Sequence, residues 1–239
     1  MKQVLTLENV TKTFGGIVAL NEFEGSVEEG EITGLIGPNG AGKTTLFNVI
    51  TGVLSPDSGT VRFRGEDVTQ DSPHRICRKG IARTFQTPKP IGSLTVEKNL
   101  RAAYRFGEPD PAVSEEERYQ QTLDLFDLRE NEDVRAENLQ LIEQKHVDVG
   151  RALMSDPALL LLDEIMAGLT PTEKVNMCET IERINSEFDI SVLLIEHDLK
   201  RIRSISDTII AMNDGTHLLT GTPTEVLAND GLREAYIGT

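Results

Sequence analysis

The run Gly37-Pro38-Asn39-Gly40-Ala41-Gly42-Lys43-Thr44 fits the pattern G-x-x-x-x-G-K-[ST] at every fixed position. Before it, Glu31-Ile32-Thr33-Gly34-Leu35-Ile36 reads as a buried strand, and after it Lys43 to Thr51 has helical character. Strand, glycine-rich turn and helix in that order make a cradle for phosphate. The glycines let backbone N–H groups turn inward, and the helix adds its positive N-terminal end. In such a cradle Gly37, Pro38, Asn39, Gly40, Ala41, Gly42 and Thr45 surround the phosphates. Lys43 reaches the β- and γ-phosphates of a nucleotide, and the Thr44 hydroxyl ligates magnesium. The competing reading is a glycine-rich turn with no ligand.

A second pattern narrows the choice of nucleotide chemistry. Leu159-Leu160-Leu161-Leu162-Asp163-Glu164 is an apolar strand ending in two carboxylates, at the edge where α/β folds bind ligands. Asp163 suits a magnesium shell, and Glu164 suits a general base acting on an attacking water. Two acids ending a strand can also be simple solvent-facing punctuation, a reading that loses weight beside the loop at Lys43. The chain has no Asn-Lys-x-Asp run to read guanine, which favours ATP over GTP. Another apolar strand, Ser191-Val192-Leu193-Leu194-Ile195, runs into Glu196-His197-Asp198 and delivers His197 to the same edge.

The rest of the chain fits around these patterns. Alternation in Val4 to Val10 and again in Thr60 to Arg64 predicts half-buried strands of an antiparallel layer. Between Gln86 and Met154 the texture changes, with Pro88, Pro90, Pro109 and Pro111 breaking up loops. Ser114-Glu115-Glu116-Glu117 is a capping-box pattern, and Tyr119, Leu123 and Phe126 share one helical face. This stretch reads as a helical insertion over about residues 87–154. Strand signals return at Leu159 to Leu162, Ser191 to Ile195 and Thr208 to Met212. Strands alternating with helices predict a mainly parallel sheet, so the expected fold is α/β with an antiparallel β subdomain and a helical subdomain.

Composition excludes other classes. With 39 acidic against 24 basic residues the formal charge is −15, which disfavours a nucleic-acid partner. The longest strongly apolar stretch, Ala158 to Leu162, is far short of the roughly 18 residues of a membrane-spanning helix. Polar residues interrupt the start of the chain, so a secretory signal is not expected. Cys77 and Cys178 are too few and too far apart for a disulfide scaffold, and a reduced cytosolic compartment is expected. His74, His146, His197 and His217 have no metal-ligand spacing, and no structural metal is expected.

Over essentially its full length the chain resembles the ATP-binding subunits of ABC transporters. The phosphate loop, Gln86, the Asp163-Glu164 strand, Gly168-Leu169 and His197 stand in that family's order. The resemblance implies a P-loop NTPase of the ABC ATPase type that binds ATP with Mg²⁺ and hydrolyses it. It makes Glu164, His197, Gln86 and Lys43 catalytic. It puts Thr44, Gln86 and, through a water molecule, Asp163 around magnesium. Phe14, in Thr13-Phe14-Gly15-Gly16, takes the place of the aromatic residue that stacks on adenine; from the sequence alone a core phenylalanine is the simpler reading. Ala167-Gly168-Leu169 resembles the segment that crosses a dimer interface. Phe14 to Leu20, Gly80 to Gln86 and Gly221 to Leu227 resemble the branched-chain amino acid importer subgroup in particular. The partners then implied are a second ABC ATPase subunit, two membrane-spanning permease subunits and an extracytoplasmic substrate-binding protein. The implied location is the cytoplasmic face of the membrane, and other subunits choose the substrate.

One segment departs from the family. Where the family reads approximately Leu-Ser-Gly-Gly-Glu-Gln, this chain has Leu139-Gln140-Leu141-Ile142-Glu143-Gln144. Gln140 replaces a serine hydroxyl, and Leu141 and Ile142 replace glycines that allow close backbone approach to a phosphate. Two unequal ATP sites in a heterodimer are therefore expected. Two rival readings stay open on the sequence. One is a soluble ABC ATPase of DNA repair or translation, whose long coiled coil or tandem domain is missing here. The other is a nucleotide-binding module without useful turnover.

Overall fold

A computed structural model describes residues 2–84, 86–107 and 113–232. Pro109, Pro111 and Phe85, which figured in the sequence reading, lie outside the described residues. In chain order the strands are β1 (Gln3–Phe14), β2 (Ile17–Glu28), β3 (Ile32–Ile36), β4 (Ser58–Phe63), β5 (Glu66–Asp67), β6 (Ile81–Arg83), β7 (Leu159–Asp163), β8 (Ser191–Ile195), β9 (Thr208–Asn213) and β10 (Thr216–Gly221). The helices are α1 (Lys43–Ile50), α2 (Pro73–Arg78), α3 (Val96–Tyr104), α4 (Glu115–Phe126), α5 (Leu141–Met154), α6 (Pro171–Phe188), α7 (Leu199–Ile205) and α8 (Pro223–Ala228).

Two sheets form. The first is antiparallel in the order β2-β1-β4-β5. The second runs β10-β9-β3-β8-β7-β6, parallel from β9 to β6 with β10 antiparallel on its edge. The β7 sequence explains its position. Leu160 and Leu162 pack into a core shared with α3, α4, α5 and α6, while Leu159 and Leu161 point to the opposite core beneath α1 and the antiparallel sheet. A strand covered on both faces needs apolar residues at successive positions, not at alternate ones. Truncating Leu161, fully buried between β6 and β8, is expected to cost about 2–5 kcal/mol. The check is a fall in the urea midpoint at unchanged m; a loss under about 1 kcal/mol would count against this packing.

Between β6 and β7 the chain builds α3, α4 and α5, which pack on one another through Leu100, Tyr119, Leu123, Phe126 and Val147. The Ser114 hydroxyl accepts from Glu117 N at 3.1 Å and starts α4 where the acidic capping pattern predicts. Gly150 lets α5 pass close to both neighbours. A Cβ there would sit 3.0 Å from Leu100 Cδ2 and from Thr122 Cγ2.

Strand order is what assembles a site. β3, β8 and β7 are adjacent and parallel, so the segments that follow them, at Gly37, Glu196 and Glu164, emerge side by side at the carboxyl edge.

Candidate functional site

The glycine-rich loop is shaped by its neighbours. Gly42 has φ +101°, and a Cβ there would lie 2.4 Å from Ala19 O on β2; one on Gly37 would lie 2.3 Å from Met212 O on β9. No larger residue fits either position. The Lys43 ammonium is buried and donates to the carbonyls of Gly37 at 2.6 Å and Pro38 at 2.9 Å. Burial pulls its pKa below the ordinary lysine range, while the Glu164 and Asp163 carboxylates act in the opposite direction. Asn39 to Thr45, Ala19, Glu164 and His197 line one polar groove of ≈ 210 Å³.

Glu164 stands opposite that loop in an unusual conformation. Its φ of +49° is left-handed, which a non-glycine residue adopts only when its surroundings hold it there. Its amide donates to Ile195 O at 2.9 Å, and its own carbonyl accepts from Ala167 N at 3.1 Å. The side chain is held as tightly: Gln86 Nε2 donates to Oε2 at 2.6 Å, and His197 Nε2 lies 2.7 Å from Oε1. Residues 78 and 33 positions away in sequence thus meet on one carboxylate.

Asp163 is buried beside it, and its Oδ2 accepts from Arg83 Nη2 at 2.8 Å. Arg83 also donates to Asn48 Oδ1 at 2.6 Å and lies over the Phe47 ring. Both anchors lie on α1, the helix that follows the phosphate loop. Asp163, Thr44 and Gln86 carry oxygen donors of the chemical kind that magnesium takes together with phosphate oxygens and water. Arg83 occupies one Asp163 oxygen.

The sequence reading missed Arg83 as a partner of Asp163, and it missed Glu196 and Lys145. Both of the latter are almost fully buried at the same edge of the sheet. Burial pushes the Glu196 carboxyl up to about 7, the Met166 N–H it accepts pulls the other way, and Glu164 adds to the rise. Only their charge in a buried setting could have drawn attention to them, and burial is not visible in a single sequence. Phe14, by contrast, is not in the core: it is 44% exposed at the end of β1, with the Lys12 ammonium 5.6 Å from its ring centre. It does not line the loop groove, although Ala19 on the paired strand does. Gln140 caps the N-terminus of α5, where its backbone N–H donates to Glu143 Oε2 at 2.7 Å. Leu141 is exposed beside Gly168, and the segment does not line its own chain's loop groove.

The family model for ABC transporters matches residues 20–167. The chain belongs to the ABC transporter ATP-binding proteins. The high-affinity branched-chain amino acid transport ATP-binding protein BraF of Pseudomonas aeruginosa is 36% identical over 251 residues, covering 99% of this chain and 98% of its own. The corresponding LivG protein of Escherichia coli is 33% identical, over 98% of both. Among solved structures, an ATP-binding cassette of an ABC transporter in its ADP conformation superposes with a TM-score of 0.89 at 33% identity over 100% of both chains. A dimeric cassette bound to ADP and Pi gives 0.80 at 26% identity, over 92% of this chain and 98% of that one. As an ABC transporter ATPase the chain binds ATP and couples its hydrolysis to transport by a complex with other subunits. Among the described residues no helix is long and apolar enough to cross a membrane.

Proposed function

We propose that this cassette energises an importer of branched-chain or related amino acids, with Glu164 as the base that activates the water attacking the γ-phosphate of ATP. The observation that carries the chemistry is the Glu164 carboxylate, fixed by Gln86 and His197 across the groove from the Lys43 loop. The amino-acid reading is supported by the relatives BraF and LivG, similar over nearly the whole chain.

The proposed roles combine this geometry with the resemblance to the family. Backbone N–H groups from Gly37 to Thr45 hold the phosphates, and Lys43 exchanges its loop carbonyls for the β- and γ-phosphate oxygens. Glu164 takes the proton of the attacking water. His197 orients Glu164 and meets charge developing on the γ-phosphate. Gln86 holds the other Glu164 oxygen and faces the attacking water. Thr44 and Gln86 would hold magnesium directly and Asp163 through a water molecule, and the ion would supply positive charge against the phosphates. Phe14 stacks on adenine, which its exposure permits.

A second cassette completes the ATP sites by closing head to tail. Leu141, exposed and away from its own Lys43 groove, then faces the partner's nucleotide together with Gln140 and Ile142. Bulky side chains there hinder backbone approach to phosphate, so the partner's site is the weaker one and a heterodimer is favoured. Placing the general-base substitution in one subunit at a time should show most phosphate release lost through Glu164. Loss through the partner alone would reverse this assignment.

The membrane partners are two permease subunits, served by an extracytoplasmic binding protein, and the cassette sits peripherally on the cytoplasmic face. An apolar groove of ≈ 400 Å³ supports this reading. Val53, Ile91 and Phe106, all exposed, line it between α2, α3 and α5. The complex purified through a tag on this chain and reconstituted in vesicles should take up leucine, isoleucine or valine on ATP hydrolysis. ATP-driven uptake of none of them would remove the branched-chain assignment.

A further inference from the structure

Three consecutive residues at the end of β8 hold the turn that carries Glu164. Ile195 O accepts from Glu164 N at 2.9 Å, Glu196 Oε1 accepts from Met166 N at 2.7 Å, and His197 Nε2 meets Glu164 Oε1 at 2.7 Å. The first and third act on Glu164 itself. The second acts two residues beyond it, inside a turn whose first residue is in the left-handed region. Such a backbone conformation persists only where its surroundings over-determine it.

We infer that Glu196 is a positioning residue for ATP hydrolysis, fixing the 164–167 turn through Met166 N so that the Glu164 carboxylate stays between Gln86 and His197.

A buried amide could be satisfied by any small acceptor, and a buried carboxylate is a costly choice. Two lysines reduce that cost in part, although burial and the Glu164 charge outweigh them and leave the carboxyl raised to about 7. The Lys145 ammonium on α5 and the Lys174 ammonium on α6 both act on the Glu196 charge, and Lys145 is itself almost fully buried. The long side chain is what the geometry requires. Glu196 leaves the strand end with 5% of its surface exposed and reaches across to the turn after the neighbouring strand β7. An aspartate at this position is one methylene too short, whereas a glutamine keeps both the reach and an accepting oxygen. Glu196 does not line the groove of the Lys43 loop, so its effect is on the chemical step and not on nucleotide affinity.

This inference rests on Glu164 being the general base. The experiment compares Glu196→Gln, Glu196→Asp, Glu196→Ala and Glu164→Gln in the transporter assembled with its co-expressed subunits, measuring kcat and KM for ATP and fluorescent ATP-analogue binding. Glu196→Ala and Glu196→Asp are expected to lower kcat by about tenfold or more with KM and binding within about twofold, and Glu196→Gln to keep more than about half of kcat. Should the alanine variant not fold, the glutamine–aspartate contrast decides alone. Parental kcat in Glu196→Asp, a Glu196→Gln as slow as Glu196→Asp, or binding that weakens in step with kcat would each overturn the inference. If Glu164→Gln itself turns over at the parental rate, the fault lies with the general-base reading; if only the Glu196 variants behave like the parent, it lies here.

Discussion

Glu164→Gln is expected to lower steady-state phosphate release by about 100-fold or more while ATP binding changes by only a few-fold. The amide has the shape of the carboxylate but cannot accept a proton from water at neutral pH. It can still accept a hydrogen bond where Gln86 or His197 now meets the carboxylate, so the left-handed turn has no reason to collapse. In the proposed function the phosphates are held elsewhere, on the loop from Gly37 to Thr45, which is why binding should survive. Phosphate release and fluorescent ATP-analogue binding, measured on the same preparation of the assembled transporter, separate the two effects. Turnover at the parental rate would remove Glu164 from the role of base.

Lys43→Ala should fail at the earlier step. A charge-assisted hydrogen bond is worth about 1.5–3 kcal/mol, so losing the ammonium should weaken nucleotide binding about 10- to 100-fold. The lysine is buried and already desolvated against the Gly37 and Pro38 carbonyls, so moving onto phosphate requires little further loss of water. Its removal also takes one hydrogen-bond donor from each of those two carbonyls, and a small drop in stability should accompany the loss of affinity. Titration with the fluorescent analogue measures the first effect and urea unfolding the second. Affinity within about twofold of the parent would mean that the loop backbone alone carries the phosphates.

Patterns confined to a few successive residues were legible in the sequence. The glycine spacing before Lys43 sets a turn that larger residues cannot make, and the structure shows why, in the approach of Gly42 to Ala19 O and of Gly37 to Met212 O. Four leucines followed by two acids describe a strand buried on both faces and ending in carboxylates, and β7 is that strand. The capping residue Ser114 and the apolar face of Tyr119, Leu123 and Phe126 are equally local, and they define α4.

What a side chain meets across the fold was not legible. Phe14 could be read as core or as surface, because its environment depends on where the β1–β2 hairpin ends, and it proves exposed. Arg83 looked like one residue of a loop motif; its ion pair with Asp163, 80 positions away, exists only because β6 takes the edge beside β7. Glu196 looked like one more acid in a chain with 39 of them. Its burial and its hold on Met166 come from β8 lying between β3 and β7. Local patterning determines which segments become strand, turn or helix, since backbone preference and hydrophobic period act over a few residues. The strand order decides which charges lose their water and which partners replace it, and that follows from how the two cores close over the shared sheet.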